Sequence, residues 1–547
     1  MTGFSVLKPR TEAMRTRDGT RLVADIWQPD APGPFPVLLM RQAYGRRIGT
    51  SLCYAPPEWY AAQGYIVVIQ DVRGRGASEG AFDLFVHEAE DGADSVAWAA
   101  ALPGSNGRVG MFGFSFQGSN QLLAAGEGCP ALRALAPAMI GWDLAEDWAY
   151  EGGAFGLRGN VGWATQLAAE TARLAGDHDA QAALFAASRA LSFSGVRPAF
   201  PPHGELLARY SHYARWRDTP LDDPYWRLIS PAARLERIVA AGPAILFVGG
   251  WYDSHLPGTL AAYRALEGAV PARLVVGPWA HFPWDRKIGA LDFGDAAVTD
   301  IDRQQVAWFD RWLKDQPSGP DGGVCLFDMG AAVWRDFPSF PEDTIALPLS
   351  GTGRAAIDMR DGGLELDDTA AEAEAVTATE RLTLDPWRPV GPCGGAFGQP
   401  PGPVDRAQVD ARSDVLTFTS APLARPALLA GPVSVTVEVE TDALSFDLLA
   451  TLSRVTPSGA AYPLAEAYAT LAPGTGCVAM RATCCTLDVG ERLRLSLSPA
   501  CFPAFPVNPG TGVAPWMAAL ADQQVLILTI RRAGSRLHAP LRRSDQE

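Results

Sequence analysis

The sequence predicts an α/β architecture, a doubly wound parallel sheet with an inserted helical cap, followed by an all-β jelly-roll or sandwich domain. Three observations predict it. Short apolar runs alternate with helical patterns up to residue 142, the arrangement that builds parallel βαβ units. A block over 143–237 is rich in Ala, Trp and Leu and shows no strand run. Beyond a Pro/Gly-rich turn, period-two alternation takes over. At 547 residues the chain exceeds the roughly 250–300 residues at which one core stops growing. The expected division is a core at 1–142 and 238–318, a cap at 143–237 and a β domain at 319–547.

Taken in order, Met14 to Pro29 reads as a hairpin turning at Asp18-Gly19. The runs Val37–Met40, Tyr65–Ile69, Val109–Phe112 and Leu132–Ala136 are apolar on both faces, as buried parallel strands are. Helical stretches at Glu90–Ala101 and Ser119–Gly126 lie between them and imply right-handed crossovers. After the cap, which Pro201-Pro202 interrupts, two further buried strands are expected at Ala244–Val248 and Arg273–Val276. A helix from Ile301 to Lys314 follows, with Val306, Phe309 and Leu313 on one side. Asp315 to Gly323 is a strong turn or linker signal. Strands are then expected in Val433–Val439, Leu493–Leu497 and Val525–Ile530.

Composition narrows the function. The chain is 48% hydrophobic and 20% charged, with 16 Trp and 23 Phe, which argues against global disorder. A net charge of −15 disfavours nucleic acid, whose phosphates it would repel. The first thirty residues carry scattered basic residues but no apolar segment of signal-peptide type. No apolar run approaches the ~18 residues of a membrane helix. A cytoplasmic protein without a membrane partner is the simplest expectation. The eight cysteines lack zinc-type spacing, so no metal and no cofactor are expected, and Cys484-Cys485 read as inert thiols. The expected partner is a small molecule, with a homodimer as a candidate assembly.

The strongest local feature is Gly113-Phe114-Ser115-Phe116-Gln117-Gly118, directly after a buried strand and opening a helix. A serine at such a corner is projected from a tight turn at the carboxyl edge of the sheet. The second glycine comes one residue later than in the common Gly-x-Ser-x-Gly. Because a serine hydroxyl is not ionised near neutral pH, it needs a base. His281 lies just past the strand ending at Val276, and Asp253 just past the preceding one, both where open α/β sheets place their sites. The chain order Ser, Asp, His fits this kind of fold. His255 is a competing base, but its adjacency to Asp253 gives poor geometry. Oxyanion donors are expected from the Phe116 amide and from the loop Arg41 to Gly45, where Tyr44 offers a hydroxyl. Asp71 to Gly80 could be mistaken for a phosphate loop. It lacks the full glycine spacing and a Walker lysine, and reads as a structural loop in which Asp71 pairs with Arg73.

Arg41 to Tyr44, Asp71-Val72-Arg73-Gly74, Ala77-Ser78-Glu79-Gly80, the Ser115 motif, Gly250-Trp251-Tyr252-Asp253 and Gly277-Pro278-Trp279-Ala280-His281 together resemble the cocaine esterase / X-prolyl dipeptidyl peptidase (S15) family of α/β-hydrolases, the CocE/NonD-type hydrolases. Asp414–Phe418 and Phe446–Val455 are similar to its jelly-roll domain. The resemblance implies a serine carboxylesterase or acyl hydrolase with Ser115 as nucleophile, Asp253 and His281 completing the triad, and Tyr44 with the Phe116 amide as oxyanion hole. It also implies aromatic acyl-pocket residues at Trp148 and Trp163. Phe116 stands where the family often has Tyr. Ser254-His255-Leu256 stand where α-amino acid ester hydrolases carry acidic residues, and His255 where related esterases have an aromatic facing the acyl pocket. The expected substrate is a carboxylic ester with a small hydrophobic or aromatic acyl group. The alternatives are an amidase or peptidase of the X-prolyl or cephalosporin acylase kind (dipeptidyl-peptidase activity), and an acyltransferase.

Overall fold

The computed structural model describes residues 3–48, 53–282, 284–316, 318–366 and 379–543, the side chain of residue 543 apart. Pro317 of the predicted linker therefore lies outside the described residues. The predicted apolar runs form one large sheet. From edge to edge its strands are Arg10–Arg15, Arg21–Trp27, Ile66–Asp71, Phe35–Gln42, Ser105–Phe114, Leu132–Ala138, Ala244–Gly250, Ala272–Gly277, Gly323–Asp328 and Val333–Phe337. Those from Ile66–Asp71 through Gly323–Asp328 pair in parallel, and antiparallel strands flank them. The parallel strands have apolar middles because helices cover the sheet; every residue of Phe35–Gln42 is buried, including Arg41 and Gln42 at its carboxyl end. Helices Glu88–Ala100 and Phe116–Ala125 pack together, while Ile301–Lys314 packs on Ser105–Phe114 and Leu132–Ala138. Gly110 marks that second contact, since a Cβ there would come within 2.8 Å of the Phe309 ring.

The boundary expected after residue 318 does not match the sheet. The Pro/Gly-rich segment is a surface turn that returns the chain to the same sheet, pairing Gly323–Asp328 in parallel with Ala272–Gly277 before Val333–Phe337 closes the edge. Turn composition marks a reversal of direction equally well inside a domain or between two domains.

The block after Leu132–Ala138 is helical, with Leu157–Leu174, His178–Arg189, Gly204–Tyr210, Tyr213–Asp218 and Pro224–Ile229 around their own apolar core. It also holds a small hairpin, Tyr150–Glu151 with Ala154–Phe155, where no strand is predicted. Two-residue strands are too short to show a period, and Gly152-Gly153 supply the turn with φ of 54° and 82°. The hairpin abuts the β domain, where the Thr470 amide donates to the Gly152 carbonyl at 2.9 Å. That domain is built from long antiparallel strands, among them Ala427–Glu440, Phe446–Val455, Ala461–Leu471, Gly474–Leu487, Arg492–Ser498 and Leu526–Ala539. The end of the large sheet is stitched to it. Asp328 accepts the Thr486 amide at 2.7 Å and the Thr486 hydroxyl, and the Met329 amide donates to the Cys484 carbonyl at 2.9 Å. No helix among the described residues is long and apolar enough to cross a membrane.

Candidate active site

Ser115 sits between the strand Ser105–Phe114 and the helix Phe116–Ala125 with φ 59° and ψ −127°, a conformation that costs a non-glycine residue energy. Its amide donates to the Ala138 carbonyl at 2.8 Å, which fastens the corner to the next strand. The glycines of the motif follow from this packing. A Cβ on Gly113 (φ 142°) would meet the Gln117 Cβ at 2.6 Å. One on Gly118 would meet Ile140 Cγ2 at 2.4 Å and the Ala138 carbonyl oxygen at 3.0 Å. The late second glycine is thus where the helix crosses the neighbouring strand end.

Asp253 and His281 come from the loops after Ala244–Gly250 and Ala272–Gly277, which run in contact. The Trp251 amide donates to the Gly277 carbonyl at 2.9 Å and the Tyr252 amide to the Trp279 carbonyl at 3.0 Å. Such an approach leaves no room for side chains at the strand ends. A Cβ on Gly250 would lie 2.4 Å from the Trp279 carbonyl oxygen, and one on Gly277 would lie 2.5 Å from the Trp279 ring. The paired loops bring the three predicted side chains together: His281 Nε2 is 3.1 Å from Ser115 Oγ, and His281 Nδ1 is 2.8 Å from Asp253 Oδ1. Asp253 is fully buried and Ser115 nearly so. Burial pushes the Asp253 carboxyl up, but His281, by charge and hydrogen bond, and His255 outweigh it, so the net shift is downward. A carboxylate on Nδ1 fixes the tautomer that leaves Nε2 free to accept a proton from the hydroxyl.

Around Ser115 the cap and core supply a cluster of rings. Trp148, on the π-turn Ala145–Ala149, and Trp163, on Leu157–Leu174, lie 5.0 Å apart between centroids. Phe85 contacts both of them and the Phe116 ring. His255 lies against Trp148 with the rings tilted by 37° and centroids 4.1 Å apart, and meets the His281 ring edge-on at 5.1 Å. Burial pushes the His255 imidazole down to about 4, against the charge of Asp253, so it is neutral at neutral pH. The Phe116 amide stands at the start of its helix. The Tyr44 hydroxyl accepts from the Trp163 indole N–H at 3.0 Å, which leaves the phenolic hydrogen free to be donated. Burial pushes the Tyr44 phenol up to about 12, against the Trp163 hydrogen bond and the Arg75 charge, so it stays protonated.

The expected Asp71–Arg73 pair does not form. Asp71 accepts from Arg46 Nη1 and the Arg46 amide, both at 2.6 Å, and from the Ala77 amide at 3.1 Å. Arg73 instead pairs with Asp91 and Asp18 at 2.7 Å. Within one turn the two residues diverge, and the loop wraps Asp71: a Cβ on Gly76 would fall 2.1 Å from its carboxylate. Cys484 and Cys485 are buried free thiols, and burial raises both, the second to about 12. Sequence reasoning does not single out Phe85, Glu151 or Arg481, all near the site. Only Arg481 carries a signal, a lone cation in the otherwise apolar strand segment Ala479–Ala482.

Residues 18–283 match the model of the X-Pro dipeptidyl-peptidase (S15 family), and residues 312–525 that of the X-Pro dipeptidyl-peptidase C-terminal non-catalytic domain. The chain is 32% identical over 531 residues to the cocaine esterase of Rhodococcus sp. (strain MB1 Bresler), covering 91% of each. Among solved structures it resembles an α-amino acid ester hydrolase (TM-score 0.75, 22% identity, 98% of this chain and 97% of that one). It also resembles an aminopeptidase from a marine sediment Thaumarchaeota archaeon (TM-score 0.79, 21% identity, 98% and 96%). Those two likenesses establish the α/β-hydrolase fold with its C-terminal β domain. By its match to the esterase along nearly its whole length, the chain belongs to the X-Pro dipeptidyl-peptidase (S15) family and is a serine hydrolase of the esterase type.

Proposed function

We propose that this protein hydrolyses carboxylic esters with a small hydrophobic or aromatic acyl group through an acyl-enzyme on Ser115. The observation that carries the reading is the unbroken hydrogen-bonded series Asp253–His281–Ser115. His281 takes the Ser115 proton as the hydroxyl attacks the acyl carbonyl, and Asp253 stabilises the imidazolium. The Tyr44 hydroxyl and the Phe116 amide receive the oxyanion. His281 then protonates the leaving alcohol, and water repeats the sequence on the acyl-enzyme to release the acid.

The acyl preference rests on the rings. Trp148, Trp163 and Phe85 offer apolar faces, and His255, held neutral, adds no cation. The carboxylate of Asp147, whose carbonyl lies beside the His255 ring, is occupied by the amides of Trp142 and Asp143 at 2.9 to 3.1 Å. That leaves it unsuited to an α-ammonium, so a neutral acyl group fits better than an aminoacyl one. The similar Rhodococcus protein is an esterase by name, which favours ester over amide as the bond cleaved.

The test compares p-nitrophenyl benzoate, Xaa-Pro anilides and glutaryl amides on the wild type and Ser115→Ala, with mass spectrometry of the trapped acyl-enzyme. Ester turnover abolished in the folded variant, with acyl mass on the Ser115 peptide of the wild type, is the expected result. Near-normal turnover in Ser115→Ala would refute the assignment. Dominant cleavage of anilide or amide would move the reading to the amidase or peptidase alternative. Acyl transfer to added alcohols in preference to water would make it an acyltransferase.

A further inference from the structure

The C-terminal β domain reaches the main chain of Asp253 through the side chain of Arg481. Arg481, on the strand Gly474–Leu487, is buried at 3% exposure. Its five N–H donors meet five acceptors. Nη1 and Nη2 donate to the two carboxylate oxygens of Glu151 at 2.7 and 2.8 Å. The remaining Nη1 hydrogen goes to the Glu466 carbonyl at 3.1 Å and the remaining Nη2 hydrogen to the Ser254 carbonyl at 3.0 Å. Nε points at the Asp253 carbonyl at 3.5 Å, and the guanidinium plane lies over the Phe397 ring. Glu151 belongs to the cap hairpin, Asp253 and Ser254 to the large sheet's loop, and Glu466 and Phe397 to the β domain. One planar cation thus ties together three parts of the chain.

We infer that Arg481, held by Glu151, is a positioning residue for the triad, fixing the main chain of Asp253–Ser254 so that the Asp253 carboxylate stays aimed at His281. The inference rests on the proposed roles of Ser115, Asp253 and His281. A bidentate carboxylate orients the guanidinium fork and neutralises it, and the opposite edge then grips two successive carbonyls. Lysine, a point charge on a flexible stem, cannot make that grip. The β domain on this reading is part of the reacting geometry as well as a companion to the hydrolase core. The titratable and charged groups facing His281 among the described residues are Ser115, Asp253 and His255, with Arg481 behind Asp253.

The experiment uses the full chain with Arg481→Met, Arg481→Lys and Glu151→Gln. Active sites are titrated with a fluorophosphonate, so that the rate per reactive serine is separated from the reactive fraction. A loosened Asp253 carboxylate stabilises less well the imidazolium that forms as Ser115 attacks, so the rate per reactive serine should fall. The expected result for Arg481→Met is a kcat/KM per active site lowered on the order of ten- to a hundredfold, with little change in KM. Arg481→Lys should recover only part of the loss. Glu151→Gln, nearly isosteric and expected to fold, should show the same fall in per-site kcat with a smaller amplitude and an unchanged KM. It decides the matter if Arg481→Met fails to fold. A purely structural role would lower the reactive fraction or the melting temperature, while leaving the per-site rate untouched, and that result overturns the inference. If wild-type Ser115 is not labelled at all, the triad reading itself fails. Labelled Ser115 with unchanged variants fails only the clamp.

Discussion

Replacing Tyr44 with phenylalanine separates an oxyanion donor from a packing residue. The hydroxyl accepts the Trp163 indole N–H at 3.0 Å, so its own hydrogen is unspent, and its phenol is held protonated across any assay range. If that hydrogen stabilises the oxyanion, Tyr44→Phe removes one of two donors. Loss of a single such donor costs about 10²–10³ in kcat, or roughly 2.7–4 kcal/mol of transition-state stabilisation. Because the ground-state carbonyl gains little from the bond, KM should stay within about threefold. A separate cost falls on stability, since the Trp163 N–H loses its acceptor inside the protein, worth about 1–3 kcal/mol. Trp163→Phe provides the control, because it deletes that N–H and leaves the Tyr44 hydroxyl in place. The assay is initial-rate hydrolysis of p-nitrophenyl esters beside thermal unfolding of each variant. The expected pattern is a large fall in kcat for Tyr44→Phe and a small one for Trp163→Phe, with both less stable than wild type. A kcat within threefold of wild type for Tyr44→Phe, alongside a lowered melting temperature, would show that the hydroxyl serves only as an acceptor for tryptophan.

Asp253→Asn should lower kcat by on the order of 10⁴ without unfolding the chain, because an amide on Nδ1 permits the wrong imidazole tautomer; stopped-flow ester hydrolysis reads the loss. Gly118→Ala should destabilise by about 1–3 kcal/mol in denaturant unfolding, since its Cβ would press on Ile140 Cγ2 at 2.4 Å and on main chain at 3.0 Å. His212 is buried against Trp163 and Trp216 with neither ring nitrogen hydrogen-bonded among the described residues, and burial pushes it down to about 3. Its folded value lies below the unfolded one of about 6.5, so its contribution is intact above that pH and is lost on acidification toward 3, amounting to about 2 kcal/mol by pH 5. In His212→Phe, unfolding free energy measured between pH 7 and 4 should fall less steeply than in the wild type; parallel curves would refute the account.

Much of the core was legible because burial on both faces leaves a simple trace. Val37–Met40, Tyr65–Ile69 and Val109–Phe112 read as strands since nothing polar interrupts them; the first and last lie within strands of the sheet, and the second overlaps Ile66–Asp71, leaving Tyr65 just before it. The serine corner was legible because its geometry demands glycines at fixed places, which Gly113 and Gly118 supply. Asp253 and His281 could be picked from a single sequence since each follows a buried strand directly. Pairings across distance left no such trace. Nothing near Arg73 in the chain indicates that its partners are Asp91 and Asp18, and nothing near Glu151 points to an arginine 330 residues on. The end of the sheet at Phe337 was hidden for a different reason: a strand returning to its own sheet and one opening a new domain carry the same local pattern.

The seam at Asp328, Met329 and Thr486 has a practical consequence for anyone handling the protein. A protease that cuts the exposed turn around Gly319–Gly322 severs the covalent link at a point where the fragments are already fastened downstream. The nicked molecule should still elute as one particle and still turn over substrate, and only a denaturing gel would reveal the break.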